Sequence, residues 1–323
     1  MSTALVPAST LCCLSSSSKL SPSSRTSMAT TARIAVVGDV HDDWNLHEDT
    51  KALQFLQPDL VLFTGDFGNE NVELVQSVAS LGFAKAVILG NHDSWFTQRF
   101  SGKRKDGVQL QLECVVGGRP FSCGGEQIFR KRLLSARYGV QDMDGSAKRI
   151  YEAVLRVPEG HIVVLLAHNG PTGLGSNVDD ICGKDWVFGG GDHGDPDLAQ
   201  AISLLKETGK FSIRVVVFGH MHKELAYRNG LRKMIVVGAD NTIYLNGAIV
   251  PRVKRLINEQ GTADRSFMTN ETPPTPESIG TKRAFTLVEI LDGTVDKIAE
   301  IWVSVVGDKT ALEEEHVLFK RGS

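Results

Sequence analysis

Residues 33–41 read RIAVVGDVH, an apolar run that ends in glycine and is followed at once by Asp39 and His41. The same order recurs in four other segments: LVLFTGD (60–66), AVILGNHD (86–93), HIVVLLAHN (161–169) and RVVVFGHMH (214–222). Short continuous apolar runs rich in β-branched residues are typical of strands that are buried on both faces of a sheet. We therefore predict five such strands, each followed directly by polar side chains.

Helical segments separate some of these runs. Valines recur every three residues from Val72 to Val78, and Asp195-Pro196 and Gly209 are typical of the first and last residues of a second helix. Later runs indicate more strands, the last of them without intervening helices: Lys233–Gly238, Thr242–Leu245, Phe285–Ile290 and Lys297–Val305. Alternating strands and helices followed by consecutive strands predict an α/β sandwich rather than a purely parallel Rossmann sheet.

Composition excludes several classes of protein. The chain has 323 residues, of which 41% are hydrophobic and 23% charged, and its net charge is −3. That charge is not typical of a protein that coats nucleic acid or an anionic membrane, and no run of apolar residues is long enough to span a membrane. The five cysteines are an odd number and lack CxxC spacing, which argues against both a thiolate zinc site and a disulfide framework.

The N-terminal segment differs from the rest of the chain. Residues 1–31 contain ten serines, five threonines, two basic residues and no acidic residue, a composition typical of an organelle transit peptide. We expect import into the chloroplast stroma, and the mitochondrion or the cytoplasm is the alternative location. The alternative to a transit peptide is a disordered tail. The remainder, 32–323, is predicted to be a single domain. Within it, residues 258–283 contain three prolines and are predicted to form a mobile loop or linker.

The polar residues after the strands are of the types that bind metal ions. In a D-x-H or H-x-H pair, side chains two residues apart along an extended chain point the same way, so both can reach one ion. Carboxylate, imidazole and amide ligands without thiolate suit manganese, iron or zinc. The set is too large for one ion and suits two with a shared carboxylate: Asp39, His41, Asp66, Asn91, His168, His220 and His222. Any one of these histidines alone is more often structural than catalytic.

The ordered blocks DxH, GD, GNHD, H and GHMH resemble the calcineurin-like metallophosphoesterase superfamily, over roughly residues 34–252. Together with the segment GGGDHGDPDL (189–198), they are most similar to a plant and cyanobacterial subfamily. The resemblance implies a four-layer αββα sandwich of two mixed sheets flanked by helices, with a dinuclear metal site at the carboxyl ends of the strands. It assigns Asp39, His41 and His222 to the first metal, Asn91, His168 and His220 to the second, and Asp66 to both.

The same resemblance makes His92 the catalytic histidine near the scissile phosphate. Two cations about 3.5–4 Å apart would lower the pKa of a shared water, and the hydroxide would attack phosphorus while His92 protonates the leaving group. The expected reaction is hydrolysis of an anionic, phosphorylated small molecule, either a phosphomonoester or a nucleotide. A phosphodiesterase or nuclease of the same fold and a non-catalytic metal-binding scaffold are the alternatives.

Three departures from the protein serine/threonine phosphatase branch argue against that substrate class. Asn69 and Glu70 stand where the branch has aspartate and arginine, and GNHE is replaced by GNHD. The roles of His193, Asp93 and Arg252 stay open: each can contact the site or serve only a local structural role. No sequence feature indicates an oligomeric state.

A basic segment lies between the third and fourth of the five strands. Residues 97–149 contain eleven basic and five acidic residues, and such a segment can steer an anionic substrate inward or simply form a solvated surface. Nucleic acid is not the expected partner, because the basic residues are not interleaved with aromatic residues that would stack on bases.

Overall fold

The computed structural model describes residues 30–98, 115–158, 160–227, 230–257 and 278–322. Residues 1–29 of the predicted transit peptide and residues 258–277 of the predicted loop lie outside this part of the chain. The first strand already begins at Thr31, and the backbone N–H of Thr30 donates to the carboxylate of Asp292.

Two mixed sheets form the centre of the fold. The first contains β1 (Thr31–Val37), β2 (Leu60–Phe63), β3 (Lys85–Val87), β9 (Val253–Ile257), β10 (Ser278–Leu291), β11 (Thr294–Val306) and β12 (Lys309–Lys320). Its order is β12-β11-β10-β1-β2-β3, with β9 also paired to β10. Strands β1, β2 and β3 are parallel, whereas β10 runs antiparallel to β1, β9 and β11.

The second sheet has the order β4-β5-β6-β8-β7. It contains β4 (Val115–Gly117), β5 (Ile162–Leu166), β6 (Ser212–Phe218), β7 (Ile235–Val237) and β8 (Ile243–Asn246). All neighbouring pairs are parallel except β7 with β8. The five helices of the described residues are α1 (Leu46–Leu56), α2 (Val72–Ser80), α3 (Lys131–Tyr138), α4 (Met143–Val154) and α5 (Pro196–Thr208).

Alternation along the strands produces the layers. In β1, Ile34 and Val36 belong to a buried cluster that also contains residues of β5 and β6, so the two sheets pack face to face. The intervening Ala35 and Val37 point the other way and pack against α1 and α2. A third cluster joins the outer face of the second sheet to α4 and α5. The expected four-layer αββα sandwich is therefore confirmed.

Local sequence explains where the helices begin and end. The side chain of Asn45 accepts hydrogen bonds from the backbone N–H groups of His47 and Glu48 and caps α1. Helix α5 begins at Pro196 and is followed by Gly209 in the left-handed conformation, as predicted. Asp195 occupies the N-cap position of α5, but its side chain bonds to Ser122 instead of capping the helix.

Several elements differ from the sequence-based prediction. Helices α1, α3 and α4 and strands β4, β9 and β12 were not predicted. Residues 278–283 were predicted to be part of a loop, and this is wrong because they begin β10 and pair with β9. The described part of the basic segment 97–149 supplies β4, α3 and most of α4, so it is an integral part of the second sheet and its helical layer.

No helix in the described ranges is both long and apolar enough to cross a bilayer.

Candidate active site

The seven predicted ligand residues all lie just beyond the carboxyl ends of strands of the two sheets. Asp39 and His41 follow β1, Asp66 follows β2, and Asn91 follows β3, all in the first sheet. The other three come from the second sheet, where His168 follows β5, and His220 and His222 follow β6. Because the two sheets pack face to face with these ends at one edge, the structure brings all seven side chains together.

Two groups of three ligand atoms form within this set. The carboxylate or imidazole atoms of Asp39, His41 and His222 all lie within 4.8 Å of one another. The Nε2 atoms of His41 and His222 are 3.0 Å apart, and His222 Nε2 is 3.5 Å from Asp39 Oδ2. We call this group the first triad.

The second triad consists of Asp66, His168 and His220, whose ligand atoms also lie within 4.8 Å of one another. Asn91 adds an amide oxygen, because its Oδ1 is 2.9 Å from His168 Nε2. Asp66 lies between the triads: its Oδ2 is 3.5 Å from His168 Nε2 and 3.9 Å from His41 Nε2. The Asp66 carboxylate therefore lies within 4 Å of an imidazole from each triad.

The backbone is strained where it presents these ligands. His41, Asp66 and His220 have φ values of 42°, 48° and 68°, a left-handed conformation that costs non-glycine residues about 1–3 kcal/mol each. Adjacent glycines make the close approach possible: a Cβ on Gly219 would lie 2.1 Å from Asp39 Oδ1, and one on Gly90 would lie 2.2 Å from Asp66 Oδ1. Gly90 and Gly219 therefore each leave room for a ligand from another strand.

The two carboxylates dominate the electrostatics of the site. Burial opposes ionisation of Asp39, but its hydrogen bond to His222 and the neighbouring imidazoles hold its pKa below the usual range. Burial also disfavours protonated His168, yet Asp66 raises the pKa of His168 to about 10. Burial and the charge of His168 lower the pKa of His220 to about 3. The two buried carboxylates therefore favour positive charge on the groups next to them.

The donor set fits two metal ions. Two buried carboxylates, four imidazoles and one amide converge within short distances, and hard and borderline cations bind these ligand types. The described residues supply no thiolate to either triad. A metal ion in each triad would provide the positive charge that the buried carboxylates require.

His92 lies beside the triads in a single 3-10 turn, His92–Ser94. Its Nδ1 is 2.7 Å from Asn69 Oδ1, and its ring stacks on Trp95 with centroids 4.8 Å apart and an angle of 11° between the planes. The ring centroid of His41 is 5.0 Å away. The backbone N–H of His92 donates to Asp66 Oδ1, so the same residue also supports the central carboxylate.

Asp93 does not contact the ring of His92 through any hydrogen bond in the structure. Its carboxylate accepts from the backbone N–H groups of Phe67 at 2.9 Å and Gly90 at 2.8 Å, which ties the loop after β2 to the loop after β3. Burial and the nearby Asp66 raise the pKa of Asp93 to about 7.

His193 lies beside the candidate site, whereas Arg252 is held by other contacts in the interior. The ring of His193 is inclined by 28° to that of His220, with centroids 5.9 Å apart, which places it next to the second triad but outside it. Arg252 is 1% exposed and bonds to Asp49 Oδ1 at 2.7 Å and to the carbonyl of Asp43 at 2.6 Å. Arg252 therefore has the local structural role: its guanidinium is buried, and these bonds hold it against Asp49 and Asp43.

Sequence reasoning missed two residues that support the ligands. Thr64 donates its hydroxyl to Asp39 Oδ1 at 3.1 Å, and its carbonyl lies 2.7 Å from His168 Nδ1. Asn246, at the end of β8, donates to the carbonyl of Met221 at 2.6 Å and so holds the turn between His220 and His222. Their position directly at strand ends was the only available signal, and it does not distinguish them from other polar residues.

Comparison with known families agrees with this geometry. The model of the calcineurin-like phosphoesterase family matches residues 32–224, more than half of the chain. The chain belongs to the calcineurin-like phosphoesterase family, and it is accordingly a metallophosphoesterase that hydrolyses phosphoric esters. A comparison with curated protein sequences finds no match.

Solved structures with a similar fold have low sequence identity to this chain. A dimetal phosphatase from Danio rerio is 11% identical, with a TM-score of 0.44, and the match covers 90% of this chain and 99% of that one. GAP50, the anchor in the inner membrane complex of Plasmodium, is 11% identical with a TM-score of 0.42 and 90% coverage of both chains. A predicted phosphoesterase from Streptococcus pneumoniae is 10% identical, with a TM-score of 0.32 and coverage of 89% and 98%.

Proposed function

We propose that the chain hydrolyses phosphate monoesters of small molecules, including nucleotides, with two bound metal ions. The observation that carries the proposal is the pair of triads, each with its ligand atoms within 4.8 Å of one another, with the Asp66 carboxylate between them. The first triad and the second triad with Asn91 would each hold one ion, and Asp66 would contact both. Manganese, iron or zinc suits this ligand set.

The chain's own residues supply the rest of the chemistry. Two bound ions would lower the pKa of a water and neutralise charge on the phosphate. His92 lies beside the triads without belonging to either, so its Nε2 can donate a proton to the departing oxygen. Asn69 accepts from Nδ1 and Trp95 stacks on the ring. These contacts fix the orientation of the imidazole and leave Nε2 available for the leaving group.

Metal content of single variants tests the shared carboxylate. We expect two metal equivalents per wild-type chain and a larger loss in Asp66→Asn than in any other single ligand substitution, because only Asp66 would serve both ions. Asp308→Asn is the control, since that carboxylate is fully exposed and pairs with Lys51 at the surface. Two equivalents retained by Asp66→Asn would show that Asp66 is not shared.

A paired ester assay tests the reaction. We expect chelator-sensitive release of nitrophenol from nitrophenyl phosphate, with the highest rate among manganese, zinc and iron identifying the preferred metal. Faster cleavage of bis-nitrophenyl phosphate than of the monoester would instead assign a phosphodiesterase. Absence of hydrolysis with every metal and both esters would favour a non-catalytic scaffold.

We further propose that residues 1–31 direct import into the chloroplast stroma. The support is the serine-rich, acid-free composition of the segment. Sequencing the N-terminus of the mature protein isolated from chloroplasts tests this: we expect a start near Thr31, and an intact Met1 would contradict it.

A further inference from the structure

A cleft of about 770 Å³ opens beside the triads. It is lined by residues 123–130 together with Lys184, Asp192 and His193. Pockets of roughly 300–1,000 Å³ hold whole small molecules, so this cleft has room for much more than a phosphate group. The segment 123–130 comes from the basic region between β4 and α3, outside the strand ends that carry the ligands.

The cleft reaches both halves of the reaction site. Its lining residue His193 has its ring centroid 5.9 Å from that of His220 in the second triad. Its lining residue Phe129 has its ring centroid 6.1 Å from that of Trp95, the residue that stacks on His92. A phosphate at the triads must release its leaving group towards the proton donor. The cleft is therefore the part of the described surface where the leaving group would lie.

The charges that line the cleft are balanced. Arg130 and Lys184 are basic, whereas Glu126 and Asp192 are acidic. The guanidinium of Arg130 donates to the carbonyls of Ser94 and Trp95, and the carboxylate of Asp192 accepts from two backbone N–H groups. With no net formal charge, this lining does not favour a leaving group that carries a second phosphate.

One aromatic side chain lines the cleft, and a second contacts a residue of its lining. Phe129 lines it, with the guanidinium of Arg130 4.2 Å from the centre of its ring. Trp186 meets His193 edge-on, with centroids 4.9 Å apart, and is 47% exposed. An exposed indole next to a reaction site provides a face on which a planar ring can stack.

We propose that the cleft is the leaving-group subsite and that it selects monophosphates of neutral alcohols bearing a planar aromatic ring, for which Trp186 is a stacking residue. A nucleoside monophosphate belongs to this class, whereas sugar bisphosphates and simple alkyl phosphates do not. The inference rests on the proposed function, since it names the substrate class of the same site. It assigns selectivity to residues outside the metal-binding strands.

Matched substrates test the subsite. Adenosine 5′-monophosphate and ribose 5-phosphate release the same type of primary alkoxide and differ in the base. Stacking of one base on an aromatic side chain corresponds to about 10- to 100-fold in binding, so we expect kcat/KM to favour the nucleotide by that factor. We expect Trp186→Ala to remove most of this preference and Trp186→Phe to retain it.

Phe188→Ala is the matched control, because this ring lies in the same loop but is 98% exposed. We expect it to behave as the wild type with both substrates. A second readout needs no turnover: calorimetric titration with adenosine should show binding to the wild type and to Phe188→Ala, and weaker binding to Trp186→Ala.

Equal kcat/KM for the two esters, or a preference for a sugar bisphosphate, would overturn the subsite while leaving the proposed hydrolase intact. Loss of the preference in Phe188→Ala as well as in Trp186→Ala would assign it to the loop as a whole and contradict the role of the indole. If no ester is hydrolysed, the proposed function fails, and adenosine binding that depends on Trp186 still decides whether the subsite exists.

Discussion

The imidazole of His92 is held by a neutral amide and an indole. Asn69 Oδ1 is 2.7 Å from Nδ1, and the Trp95 ring stacks on the imidazole. The amide oxygen accepts a hydrogen bond from the Nδ1–H group and carries no full charge. A carboxylate at the same position would place a negative charge beside the ring. The adjacent carboxylate of Asp93 is instead committed to two backbone N–H groups. Position in the sequence alone therefore does not reveal which neighbour orients the histidine.

Substitution of His92 tests its role as the proton donor. We expect His92→Ala to fold and to bind metal as the wild type does, because its ring belongs to neither triad. Hydrolysis of alkyl phosphates should slow by about 10²–10⁴-fold, the usual contribution of general acid catalysis. The loss should be smaller for nitrophenyl phosphate, whose leaving group hardly needs a proton. Steady-state kinetics with both esters measures the difference.

His161→Ala is the control, since that imidazole belongs to neither triad and its Nδ1 lies 3.1 Å from the carbonyl of Pro158, in the loop before β5. Equal losses for the two esters in His92→Ala would indicate a role in positioning the phosphate. Wild-type rates with alkyl phosphates would show that His92 takes no part in the reaction.

The basic segment 97–149 supplies secondary structure to the core of the fold as well as positive charge. Strand β4 pairs with β5, and α4 packs on the second sheet. Arg119, just after β4, donates to Asp197 Oδ2 at 2.8 Å and lies 3.2 Å from Asp195 Oδ1. This buried ion network joins the segment to the start of α5. Part of the segment's basic charge is therefore used inside the fold rather than for attracting a substrate.

Removal of the Arg119 charge should destabilise this junction. We expect Arg119→Met to lower the free energy of unfolding by about 3–5 kcal/mol, because two buried carboxylates would lose their cation. Urea denaturation at neutral pH measures the change. Lys148→Met is the control: its exposed pair with Glu152, at 3.9 Å on α4, should contribute less than about 1 kcal/mol. Similar effects of the two substitutions would contradict the structural role of Arg119.

At the scale of the whole molecule, the candidate metal site connects the two sheets. Asp39, Asp66 and Asn91 follow strands of the first sheet, whereas His168 and His220 follow strands of the second. Packing of the apolar faces between the sheets brings the two sets of strand ends together. Ligand binding at this edge is therefore coupled to the packing of the sandwich.

Metal addition should stabilise the whole domain. A ligand that binds only the folded state adds about 2.7 kcal/mol when its concentration is 100 times Kd, so we expect the melting temperature to rise with metal concentration and to fall on chelation. Calorimetric melting of the wild type and of Asp66→Asn compares the two states, and the variant should respond less. A melting temperature that is independent of metal would contradict binding between the sheets.

The sequence alone predicted the strands whose ends carry the candidate site and the residues expected to bind metal. Each predicted ligand stands within five residues of the end of a buried strand, so chain direction and the common edge of the sheets were enough to predict their convergence. The αββα sandwich was predicted from the resemblance of the DxH, GD, GNHD, H and GHMH motifs to the family. Strand β12 was missed because this exposed edge strand, KTALEEEHVLFK, carries charged residues where buried strands are apolar.

Only the tertiary structure decided which polar residues act together. Arg119 and Asp197 are 78 residues apart in the chain, and Arg252 and Asp49 are 203 apart, yet both pairs are buried. The cleft likewise combines residues 123–130 with Lys184 and His193. Local patterns report periodicity and chain direction, whereas the burial and partner of a charged side chain depend on contacts between distant segments. Those contacts exist only once the sheets and helices have packed.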